Sequence, residues 1–150
     1  MLLAAKFGMY YTDSDNQQKL PYIIHRTSLG CYERTLALLI EKYAGAFPLW
    51  LAPTQVQVLP ISETYNDYAE KVGKALSDAG IRVDVDYRNE KIGFKIREAQ
   101  LSKVPYMLIV GEKEAEAGEV SVRARNGNTE TMSLADFVAK AVKENAEKTR

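Results

Sequence analysis

Residues 106–111, YMLIVG, constrain the fold of this chain more than any other stretch. The run is apolar without alternation and is bounded by Pro105 and by the charged residues 112–114. A short unbroken apolar run of this kind reads as a strand covered on both faces, as happens in a sheet flanked by helices. Its neighbours supply the covering elements. VQVLPIS is a second strand. Residues 63–79 carry Tyr65, Tyr68, Ala69, Val72 and Leu76 at helical spacing and stop at Gly80. IRVDVDY alternates as a strand, and KIGFKIREAQLSK reads as a helix ended by Pro105. Strand–helix–strand–helix–strand order predicts parallel pairing through crossovers. EVSVRAR, an Asn-Gly turn and TETMS then add a hairpin, and Ser133 with Asp136 caps a last helix through Leu134, Phe137, Val138 and Val142. The expected class is α/β: a mixed, mainly parallel sheet flanked by helices on both faces.

The first third of the chain is organised differently. Residues 6–25 alternate, turn at SDN and alternate again, which predicts a β-hairpin with Pro21 near the start of its second strand. Residues 28–43 predict a helix capped by Ser28, with Leu29, Tyr32, Leu36, Leu39, Ile40 and Tyr43 as its apolar stripe. Residues 44–54, AGAFPLWLAPT, connect the two regions. Flexible linkers are polar and this one is not, so it should pack against something. A domain boundary is placed here, giving residues 1–50 and 51–150. Residues 1–5 begin with neither a cap nor a strand boundary and read like a piece joined to a new methionine.

Composition narrows the chemistry. Lys plus Arg equals Asp plus Glu at 20 each, so net charge favours neither nucleic acid nor membrane, although a local basic face remains open. One cysteine makes no intrachain disulfide, and one histidine with one cysteine does not complete a four-ligand structural zinc site. A reducing cytoplasmic compartment is expected. No apolar run approaches the roughly 20 residues that span a bilayer, and the start is unlike a signal peptide.

Two segments carry candidate chemistry. In residues 88–114, Lys91, Lys95, Arg97 and Lys103 gather on or near one short helix, either as a phosphate-facing surface or, more plainly, as a solvated face diluted by Glu90 and Glu98. GEKEAEAG lacks the spacing of a phosphate loop, and Glu112, Glu114 and Glu116 read as a solvated loop. In residues 22–53, His25 ends a predicted strand and Arg34 lies on the next helix. Gly30 between them would allow a planar group to approach the backbone, and Arg34 could stack on a base or pair with a phosphate. The plainer alternative is a histidine satisfied by a carbonyl and an arginine paired with Glu33 or Glu41.

The segment IHRTSLGCYERTLALLIEKYAGAFPLWLAP resembles the third signature motif of class II aminoacyl-tRNA synthetases, in its threonyl form. GIRVDVDYRNEKIGFKIREAQLSKVPYMLIVGEKE resembles the anticodon-binding domain of the threonyl, prolyl, histidyl and glycyl enzymes. The likeness runs from about residue 7 to about residue 143. It implies that residues 1–50 end a catalytic domain and that residues 51–150 form an anticodon-binding domain. His25 would be one protein ligand of a zinc ion that grips the amino and hydroxyl groups of threonine. Arg34 would bind ATP as the catalytic arginine, and Gly30 would lie near the adenine. Asn89, Lys103, Glu114 and Arg123 would surround the anticodon bases, with Lys103 standing where arginine is common. Cys31 replaces a usual serine and Thr27 a usual alanine at the rim of the amino-acid pocket.

The first two class II motifs and the other zinc ligands are missing from the sequence. The chain is therefore expected to recognise the anticodon of tRNA(Thr) but to be inactive alone. Zinc, ATP and magnesium, with threonine as substrate, belong to the parent ligase, and none is expected bound here. A homodimer through residues 1–50 is a further expectation. The alternative is a free-standing anticodon-domain-like tRNA-binding accessory protein, against which the third motif weighs.

Overall fold

A computed structural model describes residues 2–24, 26 and 30–149. It divides into two compact units, residues 1–37 and 38–150.

The first unit opens with a short helix, α1 (Leu2–Lys6), in a stretch where the sequence reading finds neither a helix cap nor a strand boundary. Gly8, at φ +60°, ends it, with the Gly8 and Met9 N–H groups donating back to the Ala5 and Ala4 carbonyls. The hairpin follows but is reduced to β1 (Tyr11–Thr12) and β2 (Gln18–Lys19), paired antiparallel. Asp13 N–H donates to the Gln17 carbonyl across the turn, and Lys19 pairs with Asp13 and Asp15. Residues 21–24 form no strand. The pair has no third strand to lengthen it, and isolated two-stranded ribbons are marginal in water.

Helix α2 (Tyr32–Tyr43) starts later than the spacing predicts. Its first bond runs from Thr35 N–H to the Cys31 carbonyl. The proposed Ser28 cap, His25, Thr27 and Leu29 lie outside the described residues. No described residue of α2 is buried, and Tyr32, Leu36 and Ile40 are exposed although they form the predicted stripe.

The second unit follows the predicted order closely. It contains β3 (Val56–Pro60), α3 (Asn66–Asp78), β4 (Val83–Val85), α4 (Ile92–Leu101) and β5 (Tyr106–Val110). A short helix α5 (Glu112–Ala117), the hairpin β6 (Glu119–Ala124) and β7 (Thr129–Ser133), and α6 (Leu134–Glu147) complete it. The strand order is β4-β3-β5-β6-β7. β3 runs parallel to both β4 and β5, and the remaining two pairs are antiparallel. Gly127, at φ +90°, makes the β6–β7 turn, and the Ser133 hydroxyl accepts the Asp136 N–H as predicted.

The two faces of the sheet are covered unequally. Val56, Val58, Leu108, Val110, Val120 and Val122 pack on Ala69, Val72 and Leu76 of α3 and on Phe137 and Ala141 of α6. The opposite face holds a smaller cluster, Leu59 and Met107 against Ile92, Ile96 and Ala99 of α4. Strand side chains alternate. Since Val120 and Val122 enter the main core, Ser121 and Arg123 lie on the α4 face, beside their register partners Thr131 and Thr129.

The apolar connection 44–54 packs on this unit, as its composition predicts. Leu49 and Ala52 are buried. Arg82 donates to the Ala52 and Trp50 carbonyls, and Arg125 donates to the Phe47 carbonyl at 2.8 Å. Gln55, fully buried, ties the arrangement together. Its amide donates to the Leu49 carbonyl at 2.9 Å and to Asn145 Oδ1 at 2.7 Å, and its own oxygen accepts the Arg82 N–H at 2.8 Å.

Candidate nucleic-acid interface

Asn89 stands in the loop that leaves β4, and the structure fixes that loop from several sides. The Asp86 carboxylate is buried. It accepts the Arg88 backbone N–H at 3.1 Å and the Arg88 guanidinium at 2.9 and 2.7 Å. Arg88 also pairs with Glu98 of α4. The Glu90 N–H donates to the Arg88 carbonyl at 2.9 Å, making a three-residue turn with exposed Asn89 at its apex. Tyr87 (48% exposed) and Phe94 (46% exposed) flank this turn in sequence and offer aromatic faces of the kind on which unpaired bases stack.

The Arg88 guanidinium, with its hydrogen bonds, holds the Asp86 carboxyl below the usual carboxylate range, while burial opposes it. A carboxyl lowered in the folded state contributes stability that is present above its unfolded value and is lost as pH falls through the folded one. The stability difference between the wild type and Asp86→Asn should therefore be constant from neutral pH down to about pH 4 and shrink below it. Thermal melts of both proteins across that range check this; a difference that shrank near neutrality would contradict it.

Lys95 overturns the reading of α4 as a plain basic face. It is only 3% exposed, and its ammonium donates to the Asp86 carbonyl at 2.9 Å and to the Pro60 carbonyl at 3.3 Å. It lies at i+3 from Ile92 and i−4 from Ala99, both packed on the sheet, so helical geometry turns it inward. That spacing was the available sequence signal. Lys91 and Arg97 remain exposed.

Glu114 lies in α5, where the sequence reading expects a loop. Its carboxylate accepts the Gly111 N–H at 3.0 Å, capping the helix from its third position. Lys103 sits at φ +55° before β5; its ammonium donates to the Ala44 carbonyl and its carbonyl accepts Arg125 Nε at 3.0 Å. Asn89 and Glu114 thus follow the carboxyl ends of parallel strands, whereas Lys103 lies at the other end of β5. Arg123 projects from β6 on the α4 face. Its Nε is buried with no hydrogen-bond partner, and no carboxylate pairs with it among the described residues.

In the first unit, Arg34 is exposed in the first turn of α2 and makes no ion pair among the described residues, so neither Glu33 nor Glu41 neutralises it. Glu33 instead accepts the Cys31 thiol at 2.7 Å. Gly30 has φ +75°, a left-handed conformation that suits glycine. Among the described residues, which do not include His25, no group of three or more His, Cys, Asp or Glu could hold a metal ion. Nor is any helix among them long and apolar enough to cross a membrane.

Residues 55–145, more than half of the chain, match the family described as anticodon binding domain. The chain is 62% identical over 143 residues to a threonine–tRNA ligase of Clostridium perfringens, covering 95% of this chain and 22% of that protein. It is 59% identical over 149 residues to a threonine–tRNA ligase of Clostridium botulinum, covering 99% and 23%. It therefore spans about a fifth of the length of these curated relatives. Among solved structures, the RNA binding domain of threonyl-tRNA synthetase from Cryptosporidium parvum Iowa II superposes with TM-score 0.73 at 38% identity, over 94% of this chain and 36% of that one. A prolyl-tRNA synthetase from Cryptosporidium parvum shares the fold at TM-score 0.68 and 22% identity, over 96% and 31%. Fold, matched segment and sequence identity together place this chain in the anticodon binding domain family, with homology to threonine–tRNA ligases.

Proposed function

We propose that this chain is the anticodon-reading, C-terminal part of a cytoplasmic threonine–tRNA ligase and that its partner is tRNA(Thr). Residues 51–150 are the anticodon-binding domain, and residues 1–50 are the end of the catalytic domain. The observation that carries the reading is the uneven covering of the sheet. Over β6 and β7 the α4 face presents Ser121, Arg123, Thr129 and Thr131, with a guanidinium nitrogen that has no partner among the described residues. A buried polar group without a partner is costly, and neighbouring hydroxyls with a guanidinium can read base edges. Asn89, Glu114 and Arg123 read bases, and Lys103 contributes from the opposite end of β5.

In the parent ligase, which would use ATP with magnesium, Arg34 would bind the ATP, Gly30 would lie near its adenine, and His25 would be one ligand of a zinc ion that selects threonine. These roles rest on the resemblance of the motif, and an Arg34 that is exposed and makes no ion pair among the described residues is compatible with the first of them. The exposed stripe of α2 supports a covering surface, supplied by the rest of the ligase or by a second copy of this chain. The chain alone should bind RNA and activate nothing.

The test has two arms. ATP–pyrophosphate exchange with threonine should be absent, and activity from this chain alone would refute its proposed incompleteness. An RNA stem-loop with a threonine anticodon should bind more tightly than the same stem-loop with its second anticodon base changed. Equal binding would refute anticodon reading. Lys91→Ala or Arg97→Ala should weaken both RNAs alike and lower the slope of log affinity against log salt by about 1, as loss of one phosphate contact does. A titration from low to moderate salt measures that slope, and a selective loss for one RNA would contradict the phosphate role.

A further inference from the structure

We infer that Lys95 is a positioning residue for base recognition: its buried ammonium, bound to the Pro60 and Asp86 carbonyls, holds the loop 86–91 so that Asn89 meets an anticodon base. The inference rests on the anticodon reading proposed above and deepens it.

Three observations converge on Lys95. The first is location. Pro60 is the last residue of β3, and Asp86 directly follows β4, so one ammonium ties together the carboxyl ends of two adjacent parallel strands. The second is cost. A buried lysine loses its hydration, and the chain has a surface alternative of the same type in Lys91. Packing alone would be served by an apolar side chain at this inward position, as at Ile92 and Ile96. The third is what the tie controls. From Asp86 onward the loop is fixed by a chain of contacts: the Asp86 carbonyl on Lys95, the Asp86 carboxylate on the Arg88 backbone and guanidinium, and Arg88 on Glu98. α4 thus grips the loop twice, from inside through Lys95 and from outside through Glu98. Asn89 sits three residues beyond the first grip, at Asp86, and one beyond the second, at Arg88.

An asparagine amide reads a base through paired hydrogen bonds whose geometry tolerates little displacement. If the Asp86 carbonyl is released, the turn at Asn89 can sample other orientations. Phosphate contacts elsewhere are unaffected. The expected signature is therefore a loss of discrimination rather than a uniform loss of affinity, which separates a positioning role from a merely structural one.

The experiment uses the full chain and the two RNA stem-loops described above, one with a threonine anticodon and one with its second anticodon base changed. Binding of each is measured for the wild type, Lys95→Met, Asn89→Ala and the double variant. Lys95→Met should lower the ratio of the two affinities by about fivefold, the loss of roughly one hydrogen bond's net worth. The double variant should lose no more than Asn89→Ala alone, because both changes act on one contact. Should Lys95→Met be unfolded at the working temperature, Lys95→Gln, which keeps a donor but shortens its reach, reads the same ratio. An unchanged ratio in the Lys95 variant beside a reduced one in Asn89→Ala overturns the inference and leaves the anticodon reading standing. Additive losses in the double variant overturn it as well. An unchanged ratio in Asn89→Ala overturns the reading at Asn89 and this inference with it.

Discussion

Alanine at Arg123 is expected to cut the preference of this chain for a threonine anticodon by about tenfold or more, within the roughly 1–3 kcal/mol typical of a base-reading arginine. Two features of the fold make this test clean. β6 sends Val120 and Val122 into the main core, so Arg123 alternates out to the α4 face. There it gives up no ion pair on truncation, because no carboxylate pairs with it among the described residues, and its Nε has no hydrogen-bond partner. Little folded-state energy should be lost beyond the packing of its aliphatic stem. The melting temperature should move little while discrimination collapses. Paired measurements of melting and of affinity for the two stem-loops check both halves. A large fall in melting temperature with discrimination intact would make Arg123 a structural residue.

Gln55→Leu should destabilise the second unit by about 3 kcal/mol or more. Leucine has similar bulk, so the cost is not a cavity. It comes from the groups left behind. The Arg82 N–H and the Asn145 side chain, both part-buried, each lose a hydrogen bond, the Leu49 carbonyl keeps only its longer bond from the Ala52 N–H at 3.3 Å, and polar groups left without partners cost about 1–3 kcal/mol apiece. Against a typical total of about 5–15 kcal/mol for a domain, that is a large fraction. Equilibrium urea unfolding measures it. A loss below about 1 kcal/mol would mean that solvent reaches these groups and satisfies them.

Much of the second unit was legible because each element obeys one period. The run 106–110 is flat and apolar, α3 repeats at three and four, and Asn126-Gly127 supplies the turn that β6 and β7 need. The misses have physical reasons. Residues 112–117 carry no apolar stripe, so α5 stays hidden; it stands on a glutamate cap rather than on a buried face. The N-terminal hairpin is shorter than its alternation suggests, since alternation marks a strand only where another surface receives the apolar side. Lys95 and Asp86 read as ordinary surface charges, and only their placement under the 86–91 loop makes them structural. The candidate base readers came from resemblance to a family. Nothing in the local pattern around Asn89 marks it, and the turn that presents it depends on how Asp86, Arg88, Lys95 and Glu98 pair in the fold.

The staple at Gln55 has one further consequence. Similarity to the family starts at residue 55, yet the carbonyls that satisfy Gln55, Arg82 and Arg125 belong to residues 47–52. The matched segment and the packed unit thus have different edges. A gene fragment cut where the family match begins would leave Leu49 behind, along with acceptors for two arginines and a glutamine.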